Sequence, residues 1–255
     1  MATRAPFPFL GAEAVARGAR VRQSLAQKGQ GMQGWVVTVA EQGREREPVV
    51  IIDQFTEHPA RWIDDAAARS FAAIGPHYPG LRAPTPHTML APLLGALAPI
   101  ARDVFGTPTL ALVEAYYSLV TTPPTALSPI QRLPHFDGLA RDRLALLHYL
   151  STDERSGTAF YRHRRSGFET VDSARYPTYD AMLQADVRAH GLPGPAYIAG
   201  DTAMFEQVAV HAGRFNRAIL YRSCTLHCAV IPPDITLAAD ARAGRLTVNT
   251  FLAGE

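Results

Sequence analysis

Cysteine is nearly absent from this chain. Two residues in 255, Cys224 and Cys228, exclude a disulfide framework. They flank His227, which suggests zinc, but a structural zinc site needs four protein ligands. The sequence offers no second half for one, and reduced thiols in a cytoplasm are the expectation. An excess of charge is missing too. The 25 basic and 23 acidic residues leave a formal charge of +2, too balanced for a nucleic-acid or membrane-surface partner. One dense basic run exists, Arg162-His163-Arg164-Arg165. It reads as a solvated strand edge or turn, and attraction of an anionic substrate is the other reading. No stretch is expected to reach the length of a membrane span. Residues 1–10 lack the long apolar run of a signal peptide, so a cytoplasmic location is the default. Repeats, low-complexity tracts and Gly-rich phosphate loops are lacking as well. Nothing in the sequence speaks to oligomeric state.

Apolar residues are plentiful at 47%, enough for a full core in one domain covering 1–255. Two β-branched runs, 35–39 and 48–52, predict strands joined as a hairpin across the polar stretch 41–47. Residues 59–73 predict a helix with Trp62, Ala66 and Phe71 on its apolar side. Tyr78-Pro79-Gly80, Pro84 and Pro86 predict a turn-rich loop. A second helix is expected over 88–104 despite Pro92 and Pro99. Residues 109–120 predict a strand. The proline-rich stretch 121–134 is a long irregular connection, read as a lid or a plain connector. Beyond it, strands are expected at 143–150, 157–161, 196–198, 202–205, 217–221 and 246–252, with an inserted helix at 179–189. Many short strands with Gly/Pro turns predict a mostly β sandwich or barrel at 109–255. The strands and helices of 1–108 would buttress it.

Chemistry concentrates in His135-Phe136-Asp137 and the distant His227. Residues i and i+2 of a strand share a face, so His135 and Asp137 can reach one ion together. Two imidazoles and one carboxylate form the set that holds Fe(II) with open positions for oxygen chemistry. Arg245, further along, can fork onto a carboxylate co-substrate. Thr247 and Asn249 alternate with apolar Leu246 and Val248 behind it. The other histidines read differently: His148 as a packed core residue, His211 as a loop or surface residue, His163 as part of the basic run. Neither cysteine sits on a nucleophile turn, which disfavours a Ser/Cys-His-Asp hydrolase.

The segments PHFDGLARDRLALLHYLSTDERSGTAFY, NRAILYRSCTLHCAVIPPD and GRLTVNTFL follow one another in a familiar order. Across about 133–252 the chain resembles the prolyl-4-hydroxylase-like branch of the Fe(II)/2-oxoglutarate-dependent oxygenases. PVVIIDQF and YPGLRAP are similar to a group of bacterial members of that superfamily. The resemblance implies a double-stranded β-helix, a jelly-roll variant, buttressed by the N-terminal helices. It implies that His135, Asp137 and His227 ligate iron. Arg245 would pair with the far carboxylate of 2-oxoglutarate, Tyr149 would offer it a hydroxyl, and Thr247 and Asn249 would line the same side. O2 would complete the reaction, a hydroxylation releasing succinate and CO2. Asp137 argues against halogenation, where relatives replace the carboxylate with a small residue. The gap from His227 to Arg245 is longer than in many relatives, and their Gly-Gly-x-Thr appears here as Ser156-Gly157-Thr158. Arg82, Gln131 and Arg132 are candidate contacts for a small-molecule, amino-acid or peptidyl substrate. A cupin-type dioxygenase without 2-oxoglutarate and a non-catalytic jelly-roll binding domain are the alternatives.

Overall fold

A computed structural model of the protein describes residues 20–22 and 34–254; the signal-peptide reading of residues 1–10 lies outside them. Two antiparallel sheets face each other. The larger runs in the order β1 (Arg20–Arg22), β2 (Val36–Gln42), β3 (Glu47–Asp53), β9 (Ala218–Arg222), β6 (Leu144–Tyr149), β11 (Leu246–Ala253), β5 (Ala111–Val120) and β4 (Gly80–Pro84). The smaller is β10 (His227–Val230), β7 (Gly157–His163) and β8 (Phe205–Ala212). The architecture is mostly β, as expected, and β2, β3 and β4 belong to the large sheet itself.

Alternation decides which side chains meet. On the large sheet, Val50, Ile52, Leu144, Leu146, Leu220, Val248 and Leu252 point outward. There they pack against α1 (Pro59–Ala67) and α2 (His87–Phe105). The opposite face carries Val49, Ala145, Ile219, Tyr221 and Phe251, which meet Phe160 and Ala209 of the small sheet. The small sheet turns Ala159, Tyr161 and Cys228 outward under α3 (Tyr176–His190). Each fully buried large apolar side chain is worth about 1.5–3 kcal/mol, so both outer layers hold the sandwich closed.

Several expectations need correction. α1 ends at Ala67, not 73, because the chain turns back and Ala72 exchanges backbone hydrogen bonds with Arg82 (2.9 and 2.8 Å). The loop expected at Tyr78-Pro79-Gly80 continues as the edge strand β4. Gly80 allows this, since a Cβ there would collide with the Leu119 carbonyl. Residues 196–198 are not a strand, and the strand expected at 202–205 starts at Phe205 and runs to Ala212. α2 is long and apolar enough to cross a membrane, which was not expected. Its Leu90, Leu93, Leu97, Ile100 and Phe105 are instead packed on the sheet. The basic run is a solvated turn only at Arg164 and Arg165. Arg162 and His163 are buried in β7; Arg162 pairs with Glu169 and Glu206, Arg164 with Asp201, and His163 and Arg165 with Asp186.

His148 lies in the outer core, its ring edge-on to Phe55 and Trp62 and its Nε2 3.1 Å from Asn216 Oδ1. Burial lowers its imidazole to about 4. The folded protein therefore holds a neutral ring that the unfolded chain protonates near its ordinary value. Stability from this ring is complete above about pH 6.5 and is lost as pH falls toward 4, by about 3 kcal/mol in all. Denaturant unfolding at pH 7 and pH 4.5 should show the loss, and His148→Gln should narrow the difference by about 2 kcal/mol. An unchanged difference in that variant would contradict this origin.

Candidate metal centre

Local backbone pairing builds the centre. His135 N–H donates to the His227 carbonyl at 2.9 Å, and His227 N–H donates back to the His135 carbonyl at 2.8 Å. Two residues on, Asp137 N–H donates to the Ser223 carbonyl at 2.8 Å. The segment after the proline-rich connection is thereby tied to the start of β10. Asp137 Oδ1 lies 3.6 Å from His135 Nε2, and Asp137 Oδ2 lies 3.4 Å from His227 Nε2. One ligand atom from each residue lies within 4.8 Å of the others. Ligands about 2.1 Å from a common ion and set at 90–110° stand about 3–3.5 Å apart, so the spacing fits one ion. Neither cysteine belongs to this cluster; both are free and buried.

The ring orientations suit ligation. His227 Nδ1 is 2.9 Å from the Thr225 carbonyl, which can only accept. Nδ1 therefore carries a proton, and Nε2, on the side of Asp137 and His135, is the nitrogen left to ligate a metal. His135 is half-exposed, and its open half lines a cavity. Enclosure by the cavity walls nonetheless lowers its imidazole to about 4, with His227 beside it adding to the shift. The ring is neutral at neutral pH, as a metal ligand must be.

The cavity has a volume of about 500 Å³ and lies between the sheets, capped by α3 and the segments at 75–79 and 130–137. The triad, Arg245, Thr247, Asn249, Arg82 and Gln131 all line it. Arg245 is 3% exposed. Its Nη2 donates to the Gly157 carbonyl at 3.1 Å, its Nε has no acceptor, and no carboxylate pairs with it among the described residues. Thr247 Oγ1 donates to Asn249 Oδ1 at 2.8 Å, tying the two together on one wall. Tyr149 and Arg132 do not line the cavity. The Tyr149 hydroxyl is 2.7 Å from Thr158 Oγ1, and burial raises it to about 12. Arg132 donates to the Leu127 and Pro193 carbonyls, bracing the connection. Gln131 accepts from Ser128 N–H and donates to the His77 carbonyl. His211 is a correction: it sits in β8, 8% exposed, with Nε2 3.1 Å from Gln42 Oε1, and burial lowers its imidazole to about 4.

Sequence reading missed Tyr78 and Thr158. Thr158 lines the cavity and carries the Tyr149 contact. Tyr78 also lines it, with a buried hydroxyl that faces Ser118. Burial raises that phenol, and the charges of Arg245 and Arg82 oppose the shift. Its signal was hidden because Tyr78 precedes a Pro-Gly pair that reads as a turn.

Fold and site together define a mostly β protein of two facing antiparallel sheets with a 2-His-1-carboxylate cluster in the cavity between them. The chain belongs to the family of unknown function DUF6445, whose model matches residues 33–252. Comparison with curated protein sequences finds no match. Similar solved structures include the non-heme alpha-ketoglutarate-dependent epimerase SnoN from nogalamycin biosynthesis, with TM-score 0.49, 13% identity, and 82% of this chain and 79% of that one covered. HygX from Streptomyces hygroscopicus, solved with nickel and 2-oxoglutarate, is similar with TM-score 0.47, 13% identity and coverage of 81% and 82%. EctD from S. alaskensis, solved with 2-oxoglutarate and 5-hydroxyectoine, is similar with TM-score 0.44, 13% identity and coverage of 95% and 87%.

If the three side chains hold one ion, removing a ligand removes most of the affinity. Asp137→Ala and His227→Ala should each weaken Fe(II) binding by at least about 100-fold in anaerobic calorimetry, since even residues behind the ligands are worth 10–100-fold. Wild-type affinity in either variant would move the metal site elsewhere.

Proposed function

We propose that the protein is an Fe(II)- and 2-oxoglutarate-dependent oxygenase that hydroxylates an unactivated C–H bond. The two sheets would then be the two faces of a double-stranded β-helix, and the prolyl-4-hydroxylase-like branch is the one we favour. The observation that carries the reading is Arg245. A guanidinium buried to 3% exposure without a carboxylate partner, in the cavity that holds a 2-His-1-carboxylate cluster, is a built receptor for an anion. An isolated buried charge costs several kcal/mol, and the far carboxylate of 2-oxoglutarate offsets that cost.

Iron, held by His135, Asp137 and His227, would let O2 serve as the oxidant, one of its oxygen atoms going to succinate as the keto acid loses CO2 and the other to the substrate C–H bond. The protein's own groups orient and enclose. The Thr225 carbonyl fixes the His227 tautomer, and Ser223 fixes the Asp137 backbone. Arg245 and the Thr247–Asn249 pair orient the co-substrate. Tyr149 supports Thr158 from behind, which departs from the direct role that the resemblance implies. Leu133, Phe136, Leu183 and Ile198 on the walls exclude water from the reacting bond.

Anaerobic addition of Fe(II) and then 2-oxoglutarate to metal-free protein tests the reading through the weak visible band of an iron-bound keto acid. The band should form in the wild type and be absent in Asp137→Ala. In Arg245→Ala the 2-oxoglutarate needed should rise about 100-fold, the worth of a charge-assisted bidentate contact. Tight Fe(II) binding without a band would replace the reading with a cupin-type dioxygenase that needs no 2-oxoglutarate. Failure to bind Fe(II) would leave a non-catalytic binding domain.

A further inference from the structure

Arg82 is a second cation on the cavity wall, and neither the triad nor the co-substrate contacts use it. It stands on β4, on one sheet rung with Ser118, Thr247 and Tyr149, so it shares their inward face. Its guanidinium lies 4.1 Å from the ring centre of Tyr78 and 5.3 Å from that of Tyr116. Contacts of this kind hold the flat faces of the group and leave its hydrogen-bonding edges open. Its Nε is buried with no acceptor, and Arg82 forms no ion pair among the described residues.

The nearby carboxylates are engaged elsewhere. Glu114 accepts from the Tyr116 hydroxyl at 3.0 Å and lies 3.6 Å from Arg143. Asp180, on α3, accepts from the Gln184 amide at 2.8 Å. Asp137 faces the two histidines. A divalent ion, Asp137, the 2-oxoglutarate dianion and Arg245 together come to neutrality. Asp180 adds a negative charge to the same lining, so what sets Arg82 apart is local: no carboxylate among the described residues is in ion-pair contact with it.

The geometry points to a substrate that is an organic anion, a carboxylate on an apolar body, with its charged end on Arg82 and its body along Phe136, Leu183 and Ile198 toward the triad. The inference rests on the oxygenase reading and names its substrate class. Arg82 sets specificity by a charge-assisted, forked contact that an uncharged analogue cannot reproduce.

Matched probes test it. Anaerobic protein loaded with Fe(II) and 2-oxoglutarate is titrated with phenylacetate or phenylacetamide, and with hexanoate or hexanamide. Changes in the visible band and in Tm are followed. Each acid should act at a concentration about tenfold or more below its amide. Arg82→Gln should erase that difference while the 2-oxoglutarate titration stays as in wild type, and Arg82→Lys should keep part of it. Equal responses to acid and amide, no response to either, or full discrimination in Arg82→Gln would overturn the assignment. Loss of 2-oxoglutarate binding in Arg82→Gln would also overturn it, by making Arg82 the co-substrate anchor. Benzylphosphonate acting below phenylacetate would replace the carboxylate with a phosphorus oxyanion and overturn the class as stated. Should the wild type form no iron–2-oxoglutarate band, the oxygenase reading fails separately. The same acid–amide pairs, followed by Tm on metal-free protein and on Arg82→Gln, then decide the anion site.

Discussion

Two backbone hydrogen bonds between His135 and His227 hold the rest of the site in place. They join the end of the proline-rich connection to the first residue of β10, bringing together residues that lie far apart in the chain. In such an antiparallel pair, directly opposite residues project to the same side, and the two imidazole rings lie 4.4 Å apart. Asp137, two residues along and anchored on Ser223, falls on that side as well. The triad is thus set by main-chain geometry. That suits a centre whose ligands must stay close before any ion arrives.

The second constraint is charge. Elsewhere the protein compensates its enclosed cations. Arg162 meets Glu169 and Glu206, and Arg217 meets Asp53. The cavity departs from that practice, since Arg245 and Arg82 point into it without carboxylate partners among the described residues. Desolvated charge is costly to keep. Arg245, with the partly buried Arg82 beside it, is the basis on which we propose the cavity as an anion receptor. The apolar outer layers under α1, α2 and α3 keep its walls fixed while the inner faces carry function.

Much of this was legible in the sequence. The hairpin at β2–β3, the helix through Pro92 and Pro99 and the strands around the triad follow from periodicity and turn residues. His148 reads as core because its neighbours in β6 are apolar on both sides. What failed had physical causes. β4 is short and bounded by prolines, so its alternation is hidden, and with it the inward aim of Arg82. His211 lies beside Gly213 and reads as loop, yet β8 runs through it because Val208 and Ala209 pack between the sheets and Phe205 packs under α3. The Tyr149 hydroxyl is diverted by Thr158 across the two sheets, a contact no local pattern encodes. Arg132 is drawn to the carbonyls of Leu127 and Pro193, and the second lies sixty-one residues away.

The most direct test of the central claim is an anaerobic crystal structure with Fe(II) and 2-oxoglutarate. The expected map places one ion among His135, Asp137 and His227, the keto acid end of 2-oxoglutarate on that ion, and its far carboxylate on Arg245. An ion held elsewhere, or a far carboxylate seated away from Arg245, would contradict the oxygenase reading of this site.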